Sequence, residues 1–105
     1  MDSNPATGHN EFQAFYLINI QRKRMKNILI TGALGYIGNL FLDRCIKEKN
    51  IIFNDIIALD IRKPSIEKEG VIYEICDIRD TKIEELIVKY KVHHVVHLAA
   101  ILSSA

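Results

Sequence analysis

Gly32, Gly35 and Gly38 stand three residues apart, directly after the apolar run Ile28-Leu29-Ile30 and at the head of an amphipathic stretch. A strand, a turn and a helix in that order, with glycines at those places, is what a backbone needs to close on a phosphate group. The first glycine permits the tight turn, the second lets the main chain come against a pyrophosphate, and the third lets the helix lie close to the sheet. The N–H groups of Tyr36 and Ile37 at the helix start then point toward the anion. Glycine triplets also mark ordinary turns, so the acid that follows the next apolar run matters. Asp60, behind Ile56-Ile57-Ala58-Leu59, places a carboxylate where it can accept hydrogen bonds from the hydroxyls of an adenosine ribose. A 2'-phosphate would meet a like charge there, which favours NAD over NADP, although Arg62 and Lys63 put cations nearby. The interval from Gly32 to Asp60 exceeds the usual ~20 residues, and an extended loop over residues 50–55 would account for it.

Other reactive side chains point to no chemistry of their own. His93, His94 and His97 fall on a predicted strand, with 93 and 97 on one face and 94 on the other, and no cysteine or carboxylate close in sequence completes a ligand set. They are read as packed or edge imidazoles, and no metal is expected. Cys45 and Cys76 lack metal-like spacing and are read as reduced structural thiols. Ser103 and Ser104 lack the glycine-flanked elbow of a hydrolase nucleophile.

The elements that must position the glycines and the acid follow from periodicity. Residues 28–30 form a continuous apolar run, as expected of a parallel strand covered on both faces. Ile37, Leu40, Phe41, Cys45 and Ile46 form one stripe of a helix over about residues 36–49, which Asn50 terminates. A second buried strand covers 56–59, and residues 61–70, with Pro64, Ser65 and Gly70, form an irregular connection. Residues 71–75 make a third strand, followed by Asp77. Thr81 and Glu84 have capping-box spacing ahead of a helix whose stripe is Ile83, Leu86, Ile87 and Tyr90. A fourth strand covers 92–98. Strands alternating with helices predict an α/β fold, a Rossmann-type doubly wound parallel sheet with strand order 3-2-1-4, representing the N-terminal, truncated part of such a domain.

The chain has 105 residues, 49% hydrophobic and 26% charged, which suits one globular domain. A net charge of +1 gives no general attraction to nucleic acid or anionic membrane, and Arg22-Lys23-Arg24 is read as a solvated face. No apolar run approaches the ~18 residues of a membrane helix, and no secretory signal opens the chain, so a cytoplasmic location is expected. Residues 1–24 are expected to be an extension, poorly structured or a short helix through Phe12, Phe15, Tyr16 and Ile20. Residues 25–105 are expected to be the incomplete NAD(P)-binding domain.

The segments Thr31-Gly32-Ala33-Leu34-Gly35-Tyr36-Ile37-Gly38, Asp60, Asp77-Ile78 and His97-Leu98-Ala99-Ala100 together resemble the extended short-chain dehydrogenase/reductase superfamily, in its NAD-dependent epimerase/dehydratase group. The resemblance covers residues 26–105. Asp60-Ile61-Arg62-Lys63-Pro64 and His97 to Ser103 are similar to both L-threonine 3-dehydrogenase-like and UDP-glucose 4-epimerase-like members. The resemblance implies that Gly32, Gly35, Tyr36, Ile37 and Gly38 bind pyrophosphate. It places Asp60 and Ile61 on the adenosine ribose, Asp77 and Ile78 beside the adenine, and Leu98, Ala99 and Ala100 along the path to the nicotinamide ribose. The family's Tyr-x-x-x-Lys pair, in which a lysine lowers the tyrosine's pKa, has no match: Tyr36 lies in the turn and Tyr90 has no lysine four residues on. The expectation is the NAD-binding part of an oxidoreductase acting on a nucleotide sugar. A threonine-dehydrogenase-like enzyme and a non-catalytic NAD sensor are the alternatives. These residues are expected to be catalytically silent alone, and any homodimer is expected to form through parts beyond Ala105.

Overall fold

The first strand, β1 (Lys26–Thr31), is longer than its apolar run, because Asn27 and Thr31 are also buried and each is satisfied by hydrogen bonds. In the computed structural model, which describes residues 11–99, β1 is preceded by helix α1 (Glu11–Arg24) and followed by helix α2 (Tyr36–Lys47). Strands β2 (Phe53–Asp60) and β3 (Ile72–Ile75), helix α3 (Lys82–Lys89) and strand β4 (His94–His97) complete the described chain. The strands form one parallel sheet in the order β3-β2-β1-β4, as the alternation of elements predicts.

Alternate residues of β1 feed two cores. Ile28 and Ile30 pack with Ala33, Leu42, Cys45, Ile56 and Ala58 on the α2 side. Leu29 packs with Ile57, Leu59, Cys76 and Leu86 on the α3 side. A strand covered on both faces has no polar side to show, which is why its sequence reads as unbroken apolar residues. Asn27 ties the lower end of the sheet together. Its Nδ2 donates to the carbonyls of Tyr90 (2.9 Å) and Lys91 (3.3 Å), and its Oδ1 accepts from Asp55 N–H (3.0 Å).

Three local expectations are corrected. The buried face of α2 is Gly38, Leu42 and Cys45, with Phe41 and Ile46 packed beside it, whereas Ile37 and Leu40 are about half exposed. The helix is rotated to bring Gly38 against the turn, and that close fit outranks the apolar stripe. The loop over residues 50–55 is shorter than expected. Asn50, with φ 67°, makes the turn, the carbonyl of Glu48 accepts from the N–H groups of Ile51, Ile52 and Phe53, and residues 53–55 already belong to β2. The capping box does not form either. Thr81 has helical dihedrals and no side-chain cap bond, and Asp80 Oδ1 instead accepts from Lys82 N–H at 2.9 Å. The carboxylate one residue earlier takes one free donor of the helix start with a stronger, charged acceptor, and Glu84 N–H bonds the Thr81 carbonyl (3.0 Å) instead of its side chain.

In α1 the side chains of Phe15, Tyr16 and Leu17 are exposed, while Phe12 and Ile20 lie outside the described side chains. No helix among the described residues is long and apolar enough to cross a membrane.

Candidate functional site

At the carboxyl ends of the strands, a cleft of about 480 Å³ is lined by Gly32, Gly35, Leu59, Asp60, Ile61, Arg62, Cys76, Asp77, Ile78, Arg79, Leu98 and Ala99. Ligands of open parallel sheets bind at this end, where neighbouring connections leave the sheet toward opposite faces.

The turn between β1 and α2 forms one wall. Gly32 has φ +68°, and a Cβ there would sit 2.8 Å from Ala99 N. It therefore serves both the left-handed bend and the close passage of the segment after β4. A Cβ on Gly38 would lie 2.2 Å from the carbonyl oxygen of Gly32 and 2.8 Å from Ala33 Cα, so the third glycine seats α2 against the turn itself rather than against the sheet at large. Gly35 is different. The nearest atom to a Cβ there is Gly32 O at 3.4 Å, so the protein's own packing leaves room for a side chain and Gly35 opens on the cleft. It is also the N-cap of α2, with no side-chain cap and no acid in the first turn. The first helical bond runs from Asn39 N–H to Gly35 O (2.8 Å), which leaves the N–H groups of Tyr36, Ile37 and Gly38 at the positive end of the helix. The side chains of Tyr36 and Ile37 face solvent, so these residues offer main-chain donors only.

Asp60 ends β2 almost fully buried. Its Oδ2 accepts Leu34 N–H from the glycine turn (3.0 Å), and its Oδ1 accepts Arg62 N–H (3.0 Å) and Arg62 Nε–H (3.3 Å). Burial alone pushes its pKa up, but the N–H groups of Arg62 and Leu34 and the Arg62 guanidinium outweigh it and hold the carboxyl below the usual range. The carboxylate is thus charged and locked to the turn it is meant to serve.

Asp77 and Ile78 reach the same cleft from the segment after β3, and Arg79 forks onto Asp77 through Nε (3.1 Å to Oδ1) and Nη2 (2.7 Å to Oδ2). The Arg79 side-chain and main-chain donors lower the Asp77 pKa to about 2. Cys76 lies in the cleft wall, and its burial raises the thiol pKa, which keeps it in the unreactive thiol form.

The opposite wall hangs on Thr31. Its buried Oγ1 accepts the N–H groups of Leu98 (3.0 Å) and Ala99 (3.3 Å). The hydroxyl's single proton is then directed to His97 Nδ1 at 2.8 Å, which leaves the imidazole proton on Nε2. His93 is similarly engaged, with Nδ1 accepting Asn27 N–H at 2.9 Å. These imidazoles tie strands together, and no group of three metal-ligating side chains occurs among the described residues.

Of the site residues expected from sequence, Gly32, Gly35, Asp60, Ile61, Asp77, Ile78, Leu98 and Ala99 meet in one cleft, whereas Tyr36, Ile37 and Gly38 are not among its lining residues and follow Gly35 in the first turn of α2. Ala100, Ser103 and Ser104 lie outside the described residues. Thr31, Leu34 and Arg79 are site residues that sequence reasoning missed. A signal for Arg79 exists, since Asp-Ile-Arg occurs at 60–62 and again at 77–79. Tyr90 is no proton donor for this cleft. Its hydroxyl donates to Glu74, and that bond with partial burial raises its pKa to about 12, opposite to what a tyrosine acid-base requires.

Comparison with known proteins places the chain among relatives of one family. A family model described as the NAD dependent epimerase/dehydratase family matches residues 28–105. The chain is 40% identical over 85 residues to an uncharacterized epimerase/dehydratase of Staphylococcus saprophyticus, covering 76% of this chain and 25% of that protein. A second such protein, from Staphylococcus aureus, is 36% identical over 84 residues, with the same coverage. Among solved structures, L-threonine dehydrogenase from Clostridium difficile matches with 38% identity and a TM-score of 0.57, over 71% of this chain and 24% of that one. The dTDP-glucose 4,6-dehydratase of Bacillus anthracis, in complex with NAD, matches in fold with a TM-score of 0.60 and 23% identity, over 70% of this chain and 26% of that one. The chain spans about a quarter of the length of the curated relatives it matches.

Proposed function

The chain belongs to the NAD-dependent epimerase/dehydratase family, and from that premise we propose that its cleft is the NAD site of an NAD-dependent oxidoreductase. The observation that carries this reading is the bond from Leu34 N–H to Asp60 Oδ2, which locks a buried, charged carboxylate to the glycine turn. The helix start of α2 takes the pyrophosphate, Asp60 and Ile61 take the adenosine ribose, and Asp77 and Ile78 take the adenine. Leu98 and Ala99, held by Thr31, border the nicotinamide ribose, with Ala100 next in sequence. Asp60 favours NAD over NADP by repelling a 2'-phosphate. When bound, NAD supplies hydride transfer; the residues of this cleft bind and orient it and exclude water.

Two substrates are compatible with this reading. Identity of 38% to an L-threonine dehydrogenase favours the amino-acid alcohol, and the epimerase/dehydratase names of the relatives favour a nucleotide sugar. Neither is turned over by these residues alone, because no Tyr-x-x-x-Lys occurs among them. Residues 1–24 stand outside the nucleotide unit as an extension, consistent with a family match that starts at residue 28.

Calorimetric titration of the 105-residue chain with NAD, after circular dichroism has established folding, tests the reading. Saturable 1:1 binding is expected, and a folded sample that binds no NAD overturns it. NADH formation above background with NAD and L-threonine, or epimerisation of a UDP-sugar supplied with NAD, would refute the silence of these residues.

A further inference from the structure

Charge is spread unevenly along this chain. Residues 12–42 hold Arg22, Lys23, Arg24 and Lys26 and no acid, so the near-zero net charge conceals a basic cluster set against ten basic and thirteen acidic side chains elsewhere. Directly before that cluster stands Phe12-Gln13-Ala14-Phe15-Tyr16-Leu17-Ile18-Asn19-Ile20, in which only Gln13 and Asn19 are neither aliphatic nor aromatic. The apolar segment and the first three basic residues belong to α1, and Lys26 opens β1.

The sheet domain does not cover the apolar part of α1. Phe15, Tyr16 and Leu17 are 65%, 60% and 44% exposed. Three consecutive helical positions span about 200° of circumference, so most of the girth there faces solvent. Among the described residues, neither core of the sheet includes a residue of α1. Arg24 and Lys26 are exposed, and neither pairs with an acid among the described residues.

The apolar and basic residues are separated along the helix axis, not around it. A groove on another protein, or a second copy of this helix, would select an apolar stripe on one side. Separation along the axis suits an interface entered end first. Residues 12–20 span about 13 Å as a helix, close to the ~15 Å of hydrocarbon in one leaflet, and the basic end would then sit level with the phosphates. We propose that α1 anchors this protein peripherally to an anionic phospholipid surface, with segment 12–20 in the acyl layer and segment 22–26 at the headgroups. The anchor joins β1 at its amino end, whereas the cleft lies at the carboxyl ends of the strands, six residues and about 20 Å further on. Membrane attachment therefore leaves the cleft open.

Flotation of the 105-residue chain with vesicles tests this, using phosphatidylcholine alone and phosphatidylcholine mixed with phosphatidylserine. Binding is expected to the mixed vesicles, weakening steeply as salt is raised. A variant carrying R22Q, K23Q and R24Q is expected to partition on the order of a hundredfold more weakly, about fivefold per charge. A variant carrying F15S and L17S is expected to lose about tenfold or more. Both leave the two cores untouched, so their melting temperatures by circular dichroism are expected to match the wild type, which separates a lost anchor from a lost fold. No binding to the mixed vesicles, equal binding to the neutral ones, or full binding by the F15S and L17S variant overturns the proposal. A wild-type chain that sediments as a dimer without lipid, and as a monomer once Phe15 and Leu17 are replaced, overturns it in favour of a second copy of this chain. None of these outcomes reads nucleotide binding, so the NAD site stands or falls separately.

Discussion

Replacing Gly38 by alanine separates tertiary packing from helix propensity, because the two give opposite signs. Gly38 lies within α2, where alanine is favoured over glycine by about 1 kcal/mol. The added Cβ, however, would lie 2.2 Å from Gly32 O and 2.8 Å from Ala33 C and Cα. All three are main-chain atoms, so no side chain can rotate out of the way. Restoring an ordinary separation requires the start of α2 to move by roughly 1 Å, in a turn where overpacking costs about 3 kcal/mol at the upper end of its usual range. The balance is a net loss of about 2 kcal/mol, or a fall in Tm of roughly 10 °C for a domain of this size. Thermal and urea unfolding followed by circular dichroism measure it. The same displacement moves the free N–H groups of Tyr36 and Ile37, so NAD affinity should fall further than the stability loss explains, which titration well below the variant's Tm would read. A G38A chain that melts at or above the wild-type temperature refutes the packing account and leaves propensity in charge.

Asp60→Asn keeps the shape but turns one acceptor into a donor, facing either Leu34 N–H or the two Arg62 donors. A stability loss of about 1–3 kcal/mol is expected in urea unfolding, and a variant with the wild-type midpoint would contradict it. The same residue sets an acid limb. Its folded pKa lies below the ordinary carboxylate value, so its contribution is present above that value and is lost as pH falls through the folded one. Stability should therefore be level in this respect at pH 5–7 and fall below about pH 4, with a shallower fall in D60N. An identical acid limb in both proteins would remove Asp60 as its source. Thr31→Val removes the acceptor for Ala99 N–H and the donor to His97, while Leu98 N–H keeps the Thr31 carbonyl at 3.2 Å. A loss of about 1–3 kcal/mol, together with weaker NAD binding, is expected. Unchanged unfolding and binding would show that the hydroxyl does not position the segment.

The parts of this protein that depend on neighbours in sequence were legible without coordinates. Apolar runs at 28–30 and 56–59 identify strands covered on both faces, and the spacing of Gly32, Gly35 and Gly38 identifies the tight turn that joins β1 to α2. The alternation of strands and helices leads to the order β3-β2-β1-β4, because right-handed crossovers leave few other ways to connect them. Local patterns are weaker guides where two residues compete for one role, as with Thr81 and Asp80 at the start of α3, or where helix rotation is set from outside, as in α2. What tertiary structure alone decided is the set of partners far apart in the chain. Leu34 meets Asp60 across 26 residues, and Thr31 meets His97 across 66. Both meetings exist because β1 lies between β2 and β4 in a fixed register, with Thr31 level with Leu59 on one side and His97 on the other. A residue's type and spacing report what it can bond to; only the register of the sheet reports what comes within ~3 Å of it. That is why the glycines and Asp60 could be named from sequence, while the bonds of Thr31 to His97 and Ala99 could not.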